Sequence, residues 1–585
     1  MRKIILVSLV ALIVLITGAL TITWFYRAHD IKKNIEIAFS SIAIGDTKIT
    51  YDDIVVSGFP TAMNVTIIKP HIVMNVTEFA DKISLEKTLK INKLPQWNED
   101  ITIDGDMKLS VNMFSNKFQI QTNGNIISKS NIAGKDLGLI AQSTAPTVCE
   151  LTTSNHSGLF GNLWNFRAWM NDTNNFLHDL RSIDCVTPPF TMLVAANNEK
   201  AVSSGGGRFY ISRDPQKEIS SIRVYLLGND IEATKAYDAI YITYLQAIAN
   251  GSKFISPSTY GKQNIEIDFS YSGTEDWNNP NAKQFPLEVK INKLHISNAA
   301  YQLDSTLSLS NNYKDNARNI SLNYKMEATA TDLLRNLLRS HLNDVTTAIT
   351  TTPIANNETN REIMEARKRV SMVPPEKMDQ LINSIIPDFA HLGKMTAAIN
   401  IDYKGDDKLN SYNANLSGFE LSAAPYGIIA SGTGKRSGNQ SPMSGNLSII
   451  CNNCTSLIDN SISYLRELHD GLAILSSNKL QDMNISDETI EGVKAFLMAL
   501  NPDGFNGNKN NLKFDIAHNG QTFSVNGKGV VEIAQIFGKT IAPTLPKNAM
   551  QIPAPKSPAI NEPAAKPPAN NPAAAQQPGN KPTRK

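Results

Sequence analysis

The sequence has almost no net charge. Its 56 Lys and Arg residues are nearly balanced by 54 Asp and Glu residues, which leaves a formal charge of +2 at pH 7. A protein body that binds nucleic acid concentrates basic residues on one face and is usually strongly basic. The balance therefore argues against nucleic acid as a partner.

Local motifs for catalysis, cofactors and metals are also missing. The segment Gly205–Arg208 is not followed by the Gly-Lys-Ser/Thr of a phosphate loop, and Gly432–Lys435 has Ile429 where that loop needs glycine. Both segments are predicted as turns. The 9 His residues lack metal-ligand spacing, and Ser157 lacks the Gly-x-Ser-x-Gly surroundings of a hydrolase nucleophile. The sequence thus predicts a non-enzyme without catalytic, cofactor-binding or metal-binding residues.

Long apolar runs are absent except near the N-terminus. From Ile4 to Tyr26 there are 23 residues without a charge, enough to cross about 30 Å of hydrocarbon as a helix. The run ends in Trp24, Phe25 and Tyr26 and is followed by Arg27, the aromatic and basic residues typical of a membrane interface. We therefore predict a signal anchor over residues 1–29. The rest of the chain would lie on one side of a bacterial inner membrane, in the periplasm.

The alternative interpretation of this run is a cleaved signal peptide. Such peptides have an apolar core of about 7–15 residues followed by a small-residue cleavage site. Here the run is longer, and bulky aromatic residues occupy the place where cleavage would occur. The pattern favours an uncleaved anchor.

The C-terminal segment 543–585 has a different composition. It holds 11 of the 28 prolines, alternating with Ala, Asn and Gln, and it carries six basic residues against Glu562. Such a segment has too little apolar surface to offset the entropy of ordering. We predict a disordered basic tail.

The body of the chain alternates between apolar and polar residues, the pattern of half-buried strands in antiparallel sheets. Clear examples are residues 265–271, 287–291, 320–326, 399–403 and 512–516. Asn-Gly pairs at 123–124, 519–520 and 526–527 are predicted hairpin turns. The prediction is an α+β fold dominated by antiparallel β structure, with helices packed on one face.

Helical spacing is interspersed among the strands. It predicts helices near 160–182, 229–249, 330–349, 378–385, 456–474 and 490–500. The resulting division is a β-rich region over 30–330, a helical insertion over 331–394, and a second β-rich region with two helices over 395–542.

Two stretches resemble a bacterial envelope family. Tyr51–Pro60, with Gly58, Phe59 and Pro60, and then Asn64–Pro70 are similar to the opening of the family known as domain of unknown function 2125. Gly418–Gly432 is similar to its later repeat. That family has no established catalytic residues, so the resemblance implies none. The anchor followed by long β structure also resembles AsmA-like envelope proteins, which are associated with lipid handling. Gly58-Phe59-Pro60 is itself expected to be structural, with Phe59 filling the core at a bend.

The four cysteines are predicted to form disulfides, since an even count in an oxidising compartment favours pairing. Cys149 could pair with Cys185. Cys451 and Cys454 could form a short structural bridge, exchange partners with the first pair, or act as a dithiol oxidoreductase at a helix N-terminus.

Three functions follow from these patterns. The leading hypothesis is a non-catalytic envelope protein that binds or conveys lipid along a groove of its sheet, beside the lipid bilayer. The second is a structural or assembly partner of other envelope proteins. The third is a periplasmic thiol oxidoreductase.

Overall fold

The structure is a computed structural model of the chain. It describes residues 2–41, 47–59, 62–78, 96–112, 116–132, 134–154, 180–216, 219–240, 256–273, 286–314, 316–351, 393–439, 441–461 and 487–544. Isolated residues at 368, 374, 376, 378, 382, 386 and 463 are described as well.

Strands dominate the described residues. They are β1 (Lys48–Thr50), β2 (Asp53–Ser57), β3 (Ala62–Ile68), β4 (His71–Asn75), β5 (Trp97–Asn112), β6 (Lys117–Ile132), β7 (Lys135–Ser143), β8 (Thr147–Thr153), β9 (Leu180–Thr187), β10 (Phe190–Val194), β11 (Lys200–Ser204), β12 (Gly207–Gln216), β13 (Ile219–Ala233), β14 (Lys262–Gly273), β15 (Leu287–Ser297), β16 (Tyr301–Lys314), β17 (Ala317–Ala330), β18 (Met395–Asp406), β19 (Ser411–Ala423), β20 (Tyr426–Ser437), β21 (Ser444–Asn452), β22 (Leu512–His518), β23 (Phe523–Val525) and β24 (Lys528–Gly529). The helices are α1 (Arg2–Ser41), α2 (Asp332–Thr351), α3 (Asp487–Leu500) and α4 (Val530–Thr540).

All these strands belong to one sheet, and the pairings between them are antiparallel. Neighbours in the sheet are neighbours along the chain, once consecutive short strands are taken together as one long strand. Thus β1 and β2, β3 and β4, β7 and β8, β9 and β10, and β11 and β12 each continue one another along the same partners. The fold is therefore an up-and-down meander.

The interruptions within these long strands lie side by side and form a line across the sheet, here called the break line. Backbone hydrogen bonds join them: Lys69 donates to Gly105 at 2.8 Å, Thr144 to Pro189 at 3.2 Å, and Asn229 to Gly206 at 2.9 Å. In β5 and β6 the line passes through Gly105 and Gly124, which are directly paired. A Cβ atom on Gly124 would lie 2.1 Å from a carbonyl oxygen of β5, and its φ is +91°. Both conditions require glycine.

The two predicted β-rich regions are parts of the same sheet. Strands β17 and β18 pair along their whole lengths, from Ala317 with Asp406 to Ala328 with Met395. The segment 331–394 is consequently an insertion between two adjacent strands. That the two regions share one sheet could not follow from the sequence, because pairing partners far apart in the chain leave no local signal.

Two helical clusters cover the two ends of the sheet. Along α1, four side chains at helical spacing (Trp24, Ala28, Ile31 and Ile35) are buried against residues of β2 and β3 (Ile54, Met63, Val65 and Ile67). At the other end, Cys454 begins a helical stretch over 454–461 that packs with α3 against β20–β22. Each cluster is a closed hydrophobic core.

The strand predictions are confirmed at every stretch named above, and helices are confirmed at 332–351, at 487–500 and in the described part of 456–474. Several boundaries were wrong. Residues 180–182 lie in β9, residues 229–233 lie in β13, and only 235–240 are helical in the described part of the predicted helix 229–249. The other residues of the predicted helices 160–182, 229–249, 378–385 and 456–474, and the tail beyond residue 544, fall outside the described residues, apart from the isolated residues given above. In each misplaced case, pairing with a neighbouring strand prevails over local helical spacing.

Two of the three Asn-Gly turns are confirmed. Asn519 and Gly520 connect β22 to β23, and Asn526 and Gly527 connect β23 to β24 with positive φ at both residues of the second turn. The pair at 123–124 is not a turn, because it lies inside β6 on the break line. The predicted turn Gly432–Lys435 was also wrong, since it lies within β20.

Among the described residues, no helix has both the length and the hydropathy of a membrane span.

Candidate functional site

The strand register aligns apolar residues across the whole sheet. Residues paired across antiparallel strands point to the same side of a sheet, so each chain of paired residues forms a row on one face. The central row is Val56, Val65, Leu109, Ile120, Cys149, Cys185, Phe209, Leu226, Ile267, Leu294, Ser305, Met326, Ala397, Leu421, Ile428, Cys451 and Leu512.

A second row runs beside the central row, two residues away along each strand except β15, where a bulge makes the separation three. It is Phe118, Leu151, Ile183, Ile211, Val224, Phe269, Ile291, Leu307, Tyr324, Ile399, Phe419, Ala430, Ile449 and Phe514. We call these two rows together the apolar face. At about 4.8 Å between strands, the central row follows the sheet for roughly 75 Å.

The apolar face is covered at its ends and open between them. In β2 and β3 the side chains under α1 are almost completely buried, with Val65 of the central row only 1% exposed. Over β14–β19, by contrast, none of the described apolar side chains is fully buried. Leu421 in the central row is 53% exposed, and Phe209 and Leu226 are exposed too. Among the described residues, no protein layer matches this middle part of the face.

The opposite face is charged, and ion pairs link its strands. Arg208 in β12 donates two hydrogen bonds to Asp184 in β9, at 2.8 and 2.6 Å, and Arg223 in β13 holds Asp268 in β14 in the same bidentate way. The bidentate hydrogen bonds from arginine keep the pKa of each of these carboxyl groups below its usual range. Further pairs join Lys117 to Glu150, Lys293 to Glu266 and Glu327 to Lys325 and Lys394.

One polar side chain stands within the central row. Ser305 is 8% exposed, and its neighbours across the strands are Leu294 and Met326.

Both predicted disulfides are present. Cys149 and Cys185 are bonded across β8 and β9, where they are directly paired neighbours in the central row. Cys451, at the end of that row, is bonded to Cys454, which begins the helical stretch 454–461. Both residues of the second pair are buried. The first disulfide thus links two adjacent strands within the apolar face, and the second links the sheet to the helical stretch that covers its C-terminal end.

The predicted interface residues lie where α1 meets the sheet. Trp24 is only 5% exposed because the first strands cover it, whereas Phe25 and Tyr26 remain exposed. Arg27 follows on the same helix. Trp24 therefore differs from the predicted interface position, since it packs within the protein.

The Gly58 turn has the positive φ expected of it, at +101°. Phe59 does not fill the core as predicted. It is largely exposed, and its ring meets that of Trp24 edge-on. Pro60 lies outside the described residues.

The charged face carries a Ser–His–Asp hydrogen-bond series that the sequence did not indicate. His295 Nδ1 lies 2.7 Å from Asp304, and its Nε2 lies 3.1 Å from the hydroxyl of Ser297. Ser297 is part of a regular strand on the solvated face. It does not line either of two surface depressions, of about 410 and 260 Å³, described on the sheet. We read it as one more polar cross-strand contact, and among the described residues no group of His, Cys, Asp and Glu could hold a metal.

Comparison with protein-family models, curated proteins and solved structures finds no match for this chain. The resemblance to the envelope families therefore stays a prediction.

Proposed function

We propose that this chain is a non-catalytic, membrane-anchored protein of the bacterial envelope that binds or conveys lipid along its apolar face. The observation that carries the proposal is the continuity of the two rows. Apolar residues are aligned from strand to strand across the sheet, and the middle of the face is exposed. Exposed apolar surface of this extent is typical of binding sites.

The shape of the face favours hydrocarbon chains over a folded protein partner. Two rows lie about 7 Å apart along the strands, so the face is a strip much longer than it is wide. A protein interface is usually a compact patch of about 800 Å² per partner. An extended acyl chain fits a long strip, and the Ser305 hydroxyl in the central row could donate to an ester or carboxyl oxygen of an amphiphile.

The proposed location follows from the N-terminal sequence. The uncharged run Ile4–Tyr26 would anchor the chain in the inner membrane, with the sheet in the periplasm. Two disulfides in the chain are in keeping with that oxidising compartment.

The test is lipid content and lipid uptake by the full-length protein. Protein purified from membranes should carry lipid detectable by mass spectrometry, and it should take up a fluorescent fatty acid. Leu421→Glu places a charge in the central row and should reduce uptake several-fold. Ile429→Glu is the matched control, because Ile429 is exposed on the opposite face of the neighbouring strand. Absence of both bound lipid and uptake would remove the proposal.

Two other functions, an assembly scaffold and a thiol oxidoreductase, can be distinguished from lipid binding with variants of the same chain. An assembly scaffold would carry no lipid, and Leu421→Glu would instead abolish co-purification of an envelope protein. A thiol oxidoreductase needs an accessible sulfur, whereas Cys451 and Cys454 are both buried. Replacing both by Ser should leave insulin reduction at its background rate.

A further inference from the structure

Helix α1 continues from the uncharged run into the sheet without a break. It extends over 40 residues, from Arg2 to Ser41, which is about 60 Å of helix. The uncharged run ends at Tyr26, and Ala28, Ile31 and Ile35 are already packed against the strands. Because no linker separates the two parts, the position of the helix in a bilayer would also fix the height of the sheet.

The helix lies along β2. At one end of the contact the rings of Trp24 and Phe59 meet with their centroids 5.6 Å apart, and at the other end Phe39 contacts Tyr51 at 5.8 Å. Phe59 belongs to the turn that joins β2 to β3 and follows Gly58. The turn therefore stands at the same level along the helix as residue 24, where the uncharged run ends.

This level of the molecule carries an exposed aromatic cluster, defined by Phe25, Tyr26 and Phe59. Their exposed fractions are 63%, 65% and 47%. Aromatic side chains of this size are usually mostly buried in water-soluble proteins. The cluster comes from two parts of the chain, so helical periodicity alone does not explain it. Aromatic rings at one level beside an apolar run are the arrangement found at membrane–water interfaces.

We infer that the β2–β3 turn is a second membrane contact, with Phe59 inserted into the phospholipid interface beside Phe25 and Tyr26. This inference rests on the proposed anchoring of α1. Its consequence concerns access. The first strands of the apolar face would then lie directly beside the bilayer. Because α1 covers only these first strands, the rest of the two rows would remain accessible.

The experiment places the photoreactive residue p-benzoylphenylalanine at single positions of the full chain in vesicles of phosphatidylethanolamine and phosphatidylglycerol. Phe59 is the test position, Phe25 tests the anchor, and Val55 is the matched control. Val55 lies on β2 and is similarly exposed, at 43%, but it is about 13 Å further along the strand. After irradiation, lipid adducts are measured by mass spectrometry.

Adducts at positions 25 and 59, several-fold above those at 55, would support the inference. Adducts at 25 alone would overturn it and leave the proposed anchor intact. Equal labelling at 55 and 59 would also overturn it, because contact would then not be confined to the turn. Absence of adducts at all three positions would overturn both the inference and the anchoring.

Discussion

The end of the sheet under α1 and its open middle are built from strands of the same kind. Both alternate apolar and polar residues, and both place their apolar residues in the same rows. They differ in what covers those rows, since Val65 is buried under α1 while Leu421 is 53% exposed to solvent. The comparison teaches that alternation in a strand specifies an apolar face but not the partner that covers it. A helix supplies the cover at each end, and we propose lipid for the middle.

The largest expected effect is the loss of the cross-strand disulfide. Where side chains are only partly buried, a covalent link should carry more of the stability. Replacing Cys149 and Cys185 by Ala opens a loop with a sequence separation of 36, which corresponds to about 4 kcal/mol in the loop-entropy model. Replacing Cys451 and Cys454, separated by 3, should cost about half as much. Urea unfolding of the full chain measures both, and equal losses would contradict this ranking.

The next effect tests burial directly. Ile54→Ala removes a fully buried side chain under α1 and should lower the free energy of unfolding by about 3 kcal/mol. Ile399→Ala, on the open part of the same face, should cost about 1 kcal/mol, because its side chain is only partly removed from water. If both variants lose the same stability in the absence of lipid, the middle of the face is covered by protein after all.

Lipid should reduce that difference. Ligand that binds only the folded protein adds stability in proportion to the logarithm of its concentration. The melting temperature of the unmodified chain should rise when fatty acid is added, and that of Leu421→Gln should rise less. Without fatty acid, Leu421→Gln should differ from the unmodified chain by less than about 0.5 kcal/mol. A large loss without ligand would indicate a structural role for Leu421.

The smallest effect belongs to the charged face. The lowered pKa values of Asp184 and Asp268 mean that their contribution is present above the unfolded pKa, near 4, and is lost as the pH falls through the folded value. Asp184→Asn should therefore weaken stability at pH 7 by about 0.5–1 kcal/mol and leave it unchanged near pH 2. Thermal melting over this pH range tests the sign, and a loss that grows toward low pH would contradict it.

Much of this architecture was accessible from the sequence. Alternation identified the strands that were named, and the even count of cysteines predicted disulfides but left open which of the four residues pair. The continuous rows were not accessible. Their existence depends on the register between strands such as β17 and β18, which are separated by the insertion 331–394. The alternation in each strand indicates which residues share a face, but without a short turn between the strands it does not fix which residue stands opposite which.

Residues 123–124 show how a local sequence signal can predict the wrong structure. Asn-Gly is a strong hairpin signal when strands flank it, yet this pair continues a strand because Gly105 stands opposite Gly124. Phe59 failed for a related reason. A large aromatic residue beside a turn is expected to be buried, and here the core below it is already filled by Trp24. Both errors come from partners that lie elsewhere in the chain.

The strict chain order of the meander gives the sheet a variable length. Since each long strand pairs only with the strands before and after it along the chain, adding or deleting one hairpin would leave every other pairing in register. The central row would simply gain or lose two residues, or about 10 Å. Duplication of the gene segment for one hairpin could therefore lengthen the sheet and leave the helical covers at its two ends unchanged. The same order lets each strand pair as soon as it has been synthesised after its predecessor, because folding dominated by contacts between neighbouring segments does not wait for the end of the chain.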